Sequence, residues 1–343
     1  MSFLEKTVDA GSTALYLQRN YEIVRQLLAK GLAERGFILE PLKKAVEREW
    51  VRKLLWTALP ERDVGLSGAF VYVPPGVSLR APVSTCFVVS EGAQEVHNVL
   101  VVGEGSELVV LSTCTSAGKG SLHAGYTEIF LERGAKLDYV IVHAWAKNTD
   151  VVAETGVVVG EGASLNDVYI SLRSPRSLRE STRITVRRGG SALASSLYLA
   201  GSGSSTLETI VTLEEEGASA EVDSKIVAAS GSFVSNPITI EAKAPNTRGH
   251  VECRGLQLSP DSVIVTAPAL RSARGGAQLT HEAAIGKISE EELAYLMTKG
   301  FSEEEAASML VRGFLELGLK SVPEPLKPQI SSILDLMAKF ATG

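Results

Sequence analysis

Apolar and polar positions alternate in three different ways along the chain. Segment 21–34 (YEIVRQLLAKGLAE) places Ile23, Leu27, Leu28 and Leu32 at helical spacing, and Gly36 follows as a stop. Segment 40–57 repeats this with Leu42, Val46, Trp50, Leu54 and Leu55 ahead of Pro60. Segment 68–77 (GAFVYVPPGV) then turns to β-branched and aromatic residues between Gly and Pro, which predicts a strand. The reading is an N-terminal helical region over 1–65.

From about residue 66 to 277 the pattern becomes a repeat. Units of a Gly, a small or polar pair and an apolar residue recur at 103–108 (GEGSEL), 132–137 (ERGAKL), 160–165 (GEGASL), 187–193 (RRGGSAL) and 214–220 (EEEGASA). Their key glycines, Gly105, Gly134, Gly162, Gly190 and Gly217, lie roughly 28 residues apart. Between them run short β-rich stretches such as LVVLST (108–113), YVIVHAW (139–145) and SVIVTA (262–267). Glycine suits such turns because it takes positive φ without a Cβ clash. Coils stacked on their neighbours bury one continuous apolar interior. Face-packed sheets are the alternative, and the even spacing favours a β-helix.

Helix signals return over 278–343. Ser289 with Glu292, and Ser302 with Glu305, fit capping boxes, with Gly300 between the two helices. Leu293, Leu296 and Met297 make one apolar face, and Met309, Leu310, Phe314 and Leu317 another. A last helix is expected over 328–341, after Pro323 and Pro325. Short apolar-faced helices need a partner surface, either the coil or another protein. The fold class is therefore mainly β, a parallel β-helix flanked by N-terminal and C-terminal helical regions.

Composition narrows the function. A net charge of −6 over 343 residues, with basic residues scattered, argues against a nucleic-acid partner. Aromatics at 6% and 31 glycines suit short strands and tight turns. No apolar run approaches the roughly 20 residues that span a bilayer, and the N-terminal segment lacks secretory character, so a cytoplasmic, non-membrane protein is expected. Cys86, Cys114 and Cys253 are odd in number and far apart, which points to reduced thiols. No G-x-x-x-x-G-K-[ST] loop is present, so no nucleotide is expected on this chain; Gly118-Lys119-Gly120-Ser121 is a fragment of that pattern, read as a surface turn.

Four stretches resemble the SufB/SufD family of the SUF iron–sulfur cluster assembly system: 68–79 (GAFVYVPPGVSL), 97–145 through HNVLVVGEGSELVVLSTCTSA and SLHAGYTEIFLERGAKLDYVIVHAW, 253–256 (CRGL), and 281–314 (HEAAIGKISEEELAYLMTKGFSEEEAASMLVRGF). The last is the most specific. The resemblance implies a right-handed β-helix and a non-enzymatic subunit. It implies pairing with itself or with a SufB/SufD relative, docking of a SufC-like ABC ATPase, receipt of sulfur from a donor protein, and a transient iron–sulfur cluster as cargo.

The same resemblance assigns candidate residues. Cys114 matches the sulfur-entry cysteine of B-type members; a thiolate can accept persulfide sulfur or bind iron, and a buried core cysteine is the plain alternative. His281 and Glu282 match a motif at the subunit interface and are candidate iron ligands, with capping or an interface hydrogen bond as the alternative. The docking surface is expected on Ile288, Leu293, Leu296, Met297, Met309, Leu310 and Phe314. His97 and His123 match family positions on strands, whereas His143 and His250 carry no signal. B-type members carry a second cysteine in a loop ahead of the proline matching Pro268. Here the strand runs straight through Thr266 and Ala267, so other ligands, Cys253 among them, or a partly structural role are open. Core packing is favoured for Cys253. A purely structural dimerisation and ATPase-binding subunit remains the alternative function. A polysaccharide-active β-helix enzyme is distant, because the coils show no obvious acidic cluster.

Overall fold

The structure, a computed structural model, describes residues 14–117 and 120–342; the first thirteen residues of the expected N-terminal region and Gly118–Lys119 of the phosphate-loop fragment lie outside them. From Ala69 onward, successive strands alternate between two sheets, and each pairs in parallel with the strand one coil away. The result is a β-solenoid between a ten-stranded and a nine-stranded sheet. Within each strand one parity points inward and the other outward.

The glycine repeat makes one corner of the coil. Gly105, Gly134, Gly162 and Gly217 have φ of 64°, 66°, 62° and 75°. The turns are also stitched together: Gly105 N–H donates to Arg133 O at 2.9 Å, and Gly134 N–H to Glu161 O at 2.8 Å. One position needs correction. In RRGGSAL the left-handed residue is Gly189, with φ of 61°, not Gly190. Gly190 occupies the small-residue position held elsewhere by Ser106, Ala135, Ala163 and Ala218, all buried. A Cβ there would meet the carbonyl oxygen of Gly160 at 3.0 Å. Gly190 is thus small for close packing, and Gly189 is flexible for the turn.

The N-terminal expectation fails over 21–34. Glu22–Leu28 is a strand, antiparallel to Ala14–Arg19, which in turn pairs with Ser78–Val89; only Lys30–Ala33 is helical. The first coil would otherwise end in a row of unpaired backbone groups, and covering that edge overrides a helical spacing. Ile23, Val24 and Leu27 are exposed on this strand, so their spacing marked no buried face. Segment 40–57 keeps its helical character in two short pieces, Leu42–Ala45 and Glu49–Leu54.

At the other end the coil runs further than 277. Gln278–Lys287 is its last strand, and helices begin at Glu290. The caps form as expected: Ser289 accepts from Glu292 N–H, and Ser302 with Glu305 makes a reciprocal capping box. The helix Glu303–Glu316 and the last helix, Lys327–Thr342, lie on the outer face of the ten-stranded sheet. There Val311, Leu315, Leu334 and Met337 pack on Val140, Val168, Ile170 and Leu197. Gly318 permits this approach, since a Cβ would stand 2.4 Å from a Leu197 methyl.

Candidate functional site

Inward parity on Glu107–Ser116 selects Leu108, Val110, Ser112 and Cys114, so Cys114 joins the solenoid interior, 7% exposed. Burial, with a smaller contribution from Cys86, pushes its thiol well above the ordinary range. The next coil places His143 in register beside it. The His143 ring stands edge-on to Tyr169, with Nδ1 3.2 Å from the phenol oxygen. His123 Nδ1 lies 2.9 Å from Gln94 Oε1. Burial holds both imidazoles neutral, His123 down to about 4 and His143 down to about 3. Trp145 sits against both rings, and its buried indole N–H has no partner.

Cys114, His123, His143 and Tyr169 border an internal cavity of about 30 Å³, room for a water molecule. Ser112, Tyr139, Thr155 and Glu180 complete much of its wall. Burial pushes Glu180 up to about 8, against a hydrogen bond donated by Thr182 Oγ1 at 2.7 Å. Asp167, one coil from Tyr139, is pushed up to about 7 by burial, and its Oδ1 is unpartnered. Polar pairs continue along the interior, with Tyr198 OH 2.5 Å from Ser205 Oγ and Ser196 Oγ 2.9 Å from Ser224 Oγ.

Cys253 also points inward, buried beside Ala283, with its thiol raised by burial and partly eased by a hydrogen bond to Thr266. Core packing, as favoured for it, describes its place. It lies five ladder steps from Cys114 along the same sheet, about 24 Å, so the two thiols are not brought together.

His281 and Glu282 sit on the last strand, not at a helix cap. His281 is in register with the inward Val251 and Glu282 with the outward Glu252, so the pair divides between the two faces. Both are exposed, and among the described residues no strand pairs beyond this one or beyond Val263–Ser272 in the other sheet. Among the described residues, no three His, Cys, Asp or Glu side chains converge on one metal position.

Of the expected docking residues, Met297 and Met309 are 45% and 47% exposed, next to exposed Tyr295 and Phe301. Leu293, Leu296 and Leu310 are half-buried. Ile288 and Phe314 are half-buried against the solenoid's own outer cluster. No helix among the described residues is long and apolar enough to cross a membrane.

Sequence reasoning missed His143, Trp145, Asp167, Tyr169 and Glu180. Parity could have found them: Asp167 and Tyr169 share the face of Leu165, and Glu180 and Thr182 that of Leu178 and Ile184. His250, by contrast, stays on the outer face, bonded to Thr280.

Known proteins match this arrangement along most of its length. The family described as "SUF system FeS cluster assembly, SufBD core domain" matches residues 87–314. An iron–sulfur cluster assembly SufBD family protein of Archaeoglobus fulgidus is 33% identical over 314 residues, 88% of this chain and 85% of the relative. One of Methanothermobacter thermautotrophicus is 33% identical over 302 residues, 86% of this chain and 74% of the relative. One of Pyrococcus horikoshii is 30% identical over 338 residues, 94% and 76% respectively. With Cys114, most of the solenoid and the helix caps at Ser289 and Ser302 inside residues 87–314, the chain belongs to the SufBD family of SUF-system iron–sulfur cluster assembly proteins.

Proposed function

We propose that this chain is a non-enzymatic scaffold subunit on which a SufC-like ABC ATPase docks through the helices Glu290–Thr298 and Glu303–Glu316. The observation that carries this is a set of exposed apolar side chains, Tyr295, Met297, Phe301 and Met309, while Val311 and Leu315 anchor the second of these helices to the solenoid. Methionine-rich faces fit apolar grooves on partners because the thioether side chain adapts its shape. Cys114 is the sulfur acceptor from a persulfide-bearing donor. The bare strand edges at Val263–Ser272 and Gln278–Lys287, with exposed Val263, Val265 and Ile285, are where a second copy or a relative pairs. Such pairing brings the partner's residues to His281, which among the described residues lacks a complete ligand set for iron.

Co-expression with the ATPase tests the central claim. The wild type should co-purify as a stable complex, and the double variant Met297→Glu, Met309→Glu should release the ATPase while its thermal melt stays unchanged. A folded wild type that never retains the ATPase sinks the reading. The incomplete ligand set favours one second reading, a structural subunit that carries no sulfur. Unchanged cluster formation by Cys114→Ser in anaerobic reconstitution would establish it.

A further inference from the structure

The two helices at the docking surface are held very differently. Glu303–Glu316 is fixed to the body: Ala306, Val311 and Leu315 are fully buried, and Arg312 is tied to Asp335 and Ser331 of the last helix. Glu290–Thr298 has no buried residue. Its Tyr295 is 60% exposed and its Met297 45%, and Leu293 and Leu296 are only half-buried. It packs chiefly on Glu303–Glu316, and no strand packs on it to a similar extent.

Both ends of Glu290–Thr298 are jointed. Ile288, just ahead of it, is seated against the outer cluster of the solenoid. Gly300, just after it, has φ of 97° and open space where a Cβ would stand. Between these points the helix depends on local terms. Ser289 Oγ accepts from Glu292 N–H at 3.2 Å, three glutamates occupy the first turn, and no basic residue occupies the last. A helix this short is marginal in water on local terms alone. Segments with few buried contacts open at a free energy near zero.

We propose that Glu290–Thr298 is a hinged arm that opens and closes in the free chain and is fixed as a helix by the docked ATPase. This rests on the docking of a SufC-like ATPase at these helices. Glu303–Glu316 is then the permanent half of the surface, and the arm closes over the partner once it has landed. Closure takes Tyr295 and Met297 out of water, which the solenoid does not do. The cost of ordering the arm falls on the binding step, so affinity depends on how often the free arm is helical. The surface it offers is apolar and acidic. Glu291, Glu292, Glu303 and Glu304 are exposed, whereas Lys299 lies over the Tyr295 ring and Arg312 is engaged with Asp335. The receiving groove on the ATPase is therefore apolar with a basic rim.

Hydrogen exchange on the full chain, read by mass spectrometry with and without the ATPase, tests the arm. In the free chain, amides over 291–298 should exchange at least about a hundredfold faster than those over 306–315, and in the complex they should slow at least about tenfold. Ser289→Ala and Ala294→Gly weaken the helix but keep Leu293, Tyr295, Leu296 and Met297. Each should weaken ATPase binding about threefold while the melting curve of the chain stays unchanged. Equal protection of the two helices in the free chain overturns the proposal, as does a complex in which 291–298 stay unprotected or an affinity unchanged in both variants. All three results leave docking on Glu303–Glu316 standing. A folded wild type that never retains the ATPase removes the docking reading itself.

Discussion

Asp167 offers the sharpest test of the interior. Its side chain is buried between Tyr139 and Ala194, one carboxyl oxygen lacks a partner, and burial raises it from 3.8 to about 7. A carboxyl that holds its proton more tightly folded than unfolded costs nothing below pH 3.8. Above that the unfolded chain loses the proton first, and each pH unit removes about 1.4 kcal/mol of stability until the folded group also ionises near pH 7. The loss works out at about 1.5 kcal/mol at pH 5 and about 4 kcal/mol at pH 8. Asp167→Asn has nearly the same shape and cannot ionise, so its packing cost is the same at both pH values. Urea unfolding followed by circular dichroism should therefore show the variant gaining about 2.5 kcal/mol on the wild type between pH 5 and pH 8. An equal difference at both pH values would refute a neutral buried carboxyl at this site.

Two further outcomes follow from contacts elsewhere. Glu128, buried on the outer face of the nine-stranded sheet, accepts from Trp56 N–H at 2.7 Å and Ala58 N–H at 2.9 Å and contacts His97 Nε2 at 2.8 Å. Glu128→Gln cannot accept at both oxygens, and should cost about 2 to 4 kcal/mol and speed amide exchange over residues 54–60; unchanged exchange there would mean this segment is held by other contacts. Leu334→Ala, at a fully buried position between the last helix and the sheet, should cost about 2 to 5 kcal/mol in urea unfolding. A loss below about 1 kcal/mol would show that the last helix contributes little to the body.

How much was legible differs by element. The turn glycines at Gly105, Gly134 and Gly162 were readable because a left-handed backbone is a local demand that few residues meet. Ser302 with Glu305 was readable for the same reason, since a cap joins residues three apart. Gly190 shows the limit: two adjacent glycines look alike in sequence, and only the neighbouring coil's carbonyl distinguishes the flexible one from the small one. Cys114 was found through a resemblance, but the wall around it was not. His143 is twenty-nine residues away and becomes its neighbour only when one coil closes in register.

The sequence by itself determined that this chain coils, where the coil turns and where the tail helices start, because each depends on backbone conformation or on residues within a few positions. Tertiary structure alone decided that Glu22–Leu28 is an edge-covering strand, that His143 lies beside Cys114 in the interior, and that His281 and Glu282 face opposite ways at a bare end. Each of those outcomes depends on which strand lies alongside, and in a solenoid that strand is a full coil away in the chain. Solvent exclusion by those distant neighbours, rather than any local signal, changes the protonation of the buried groups.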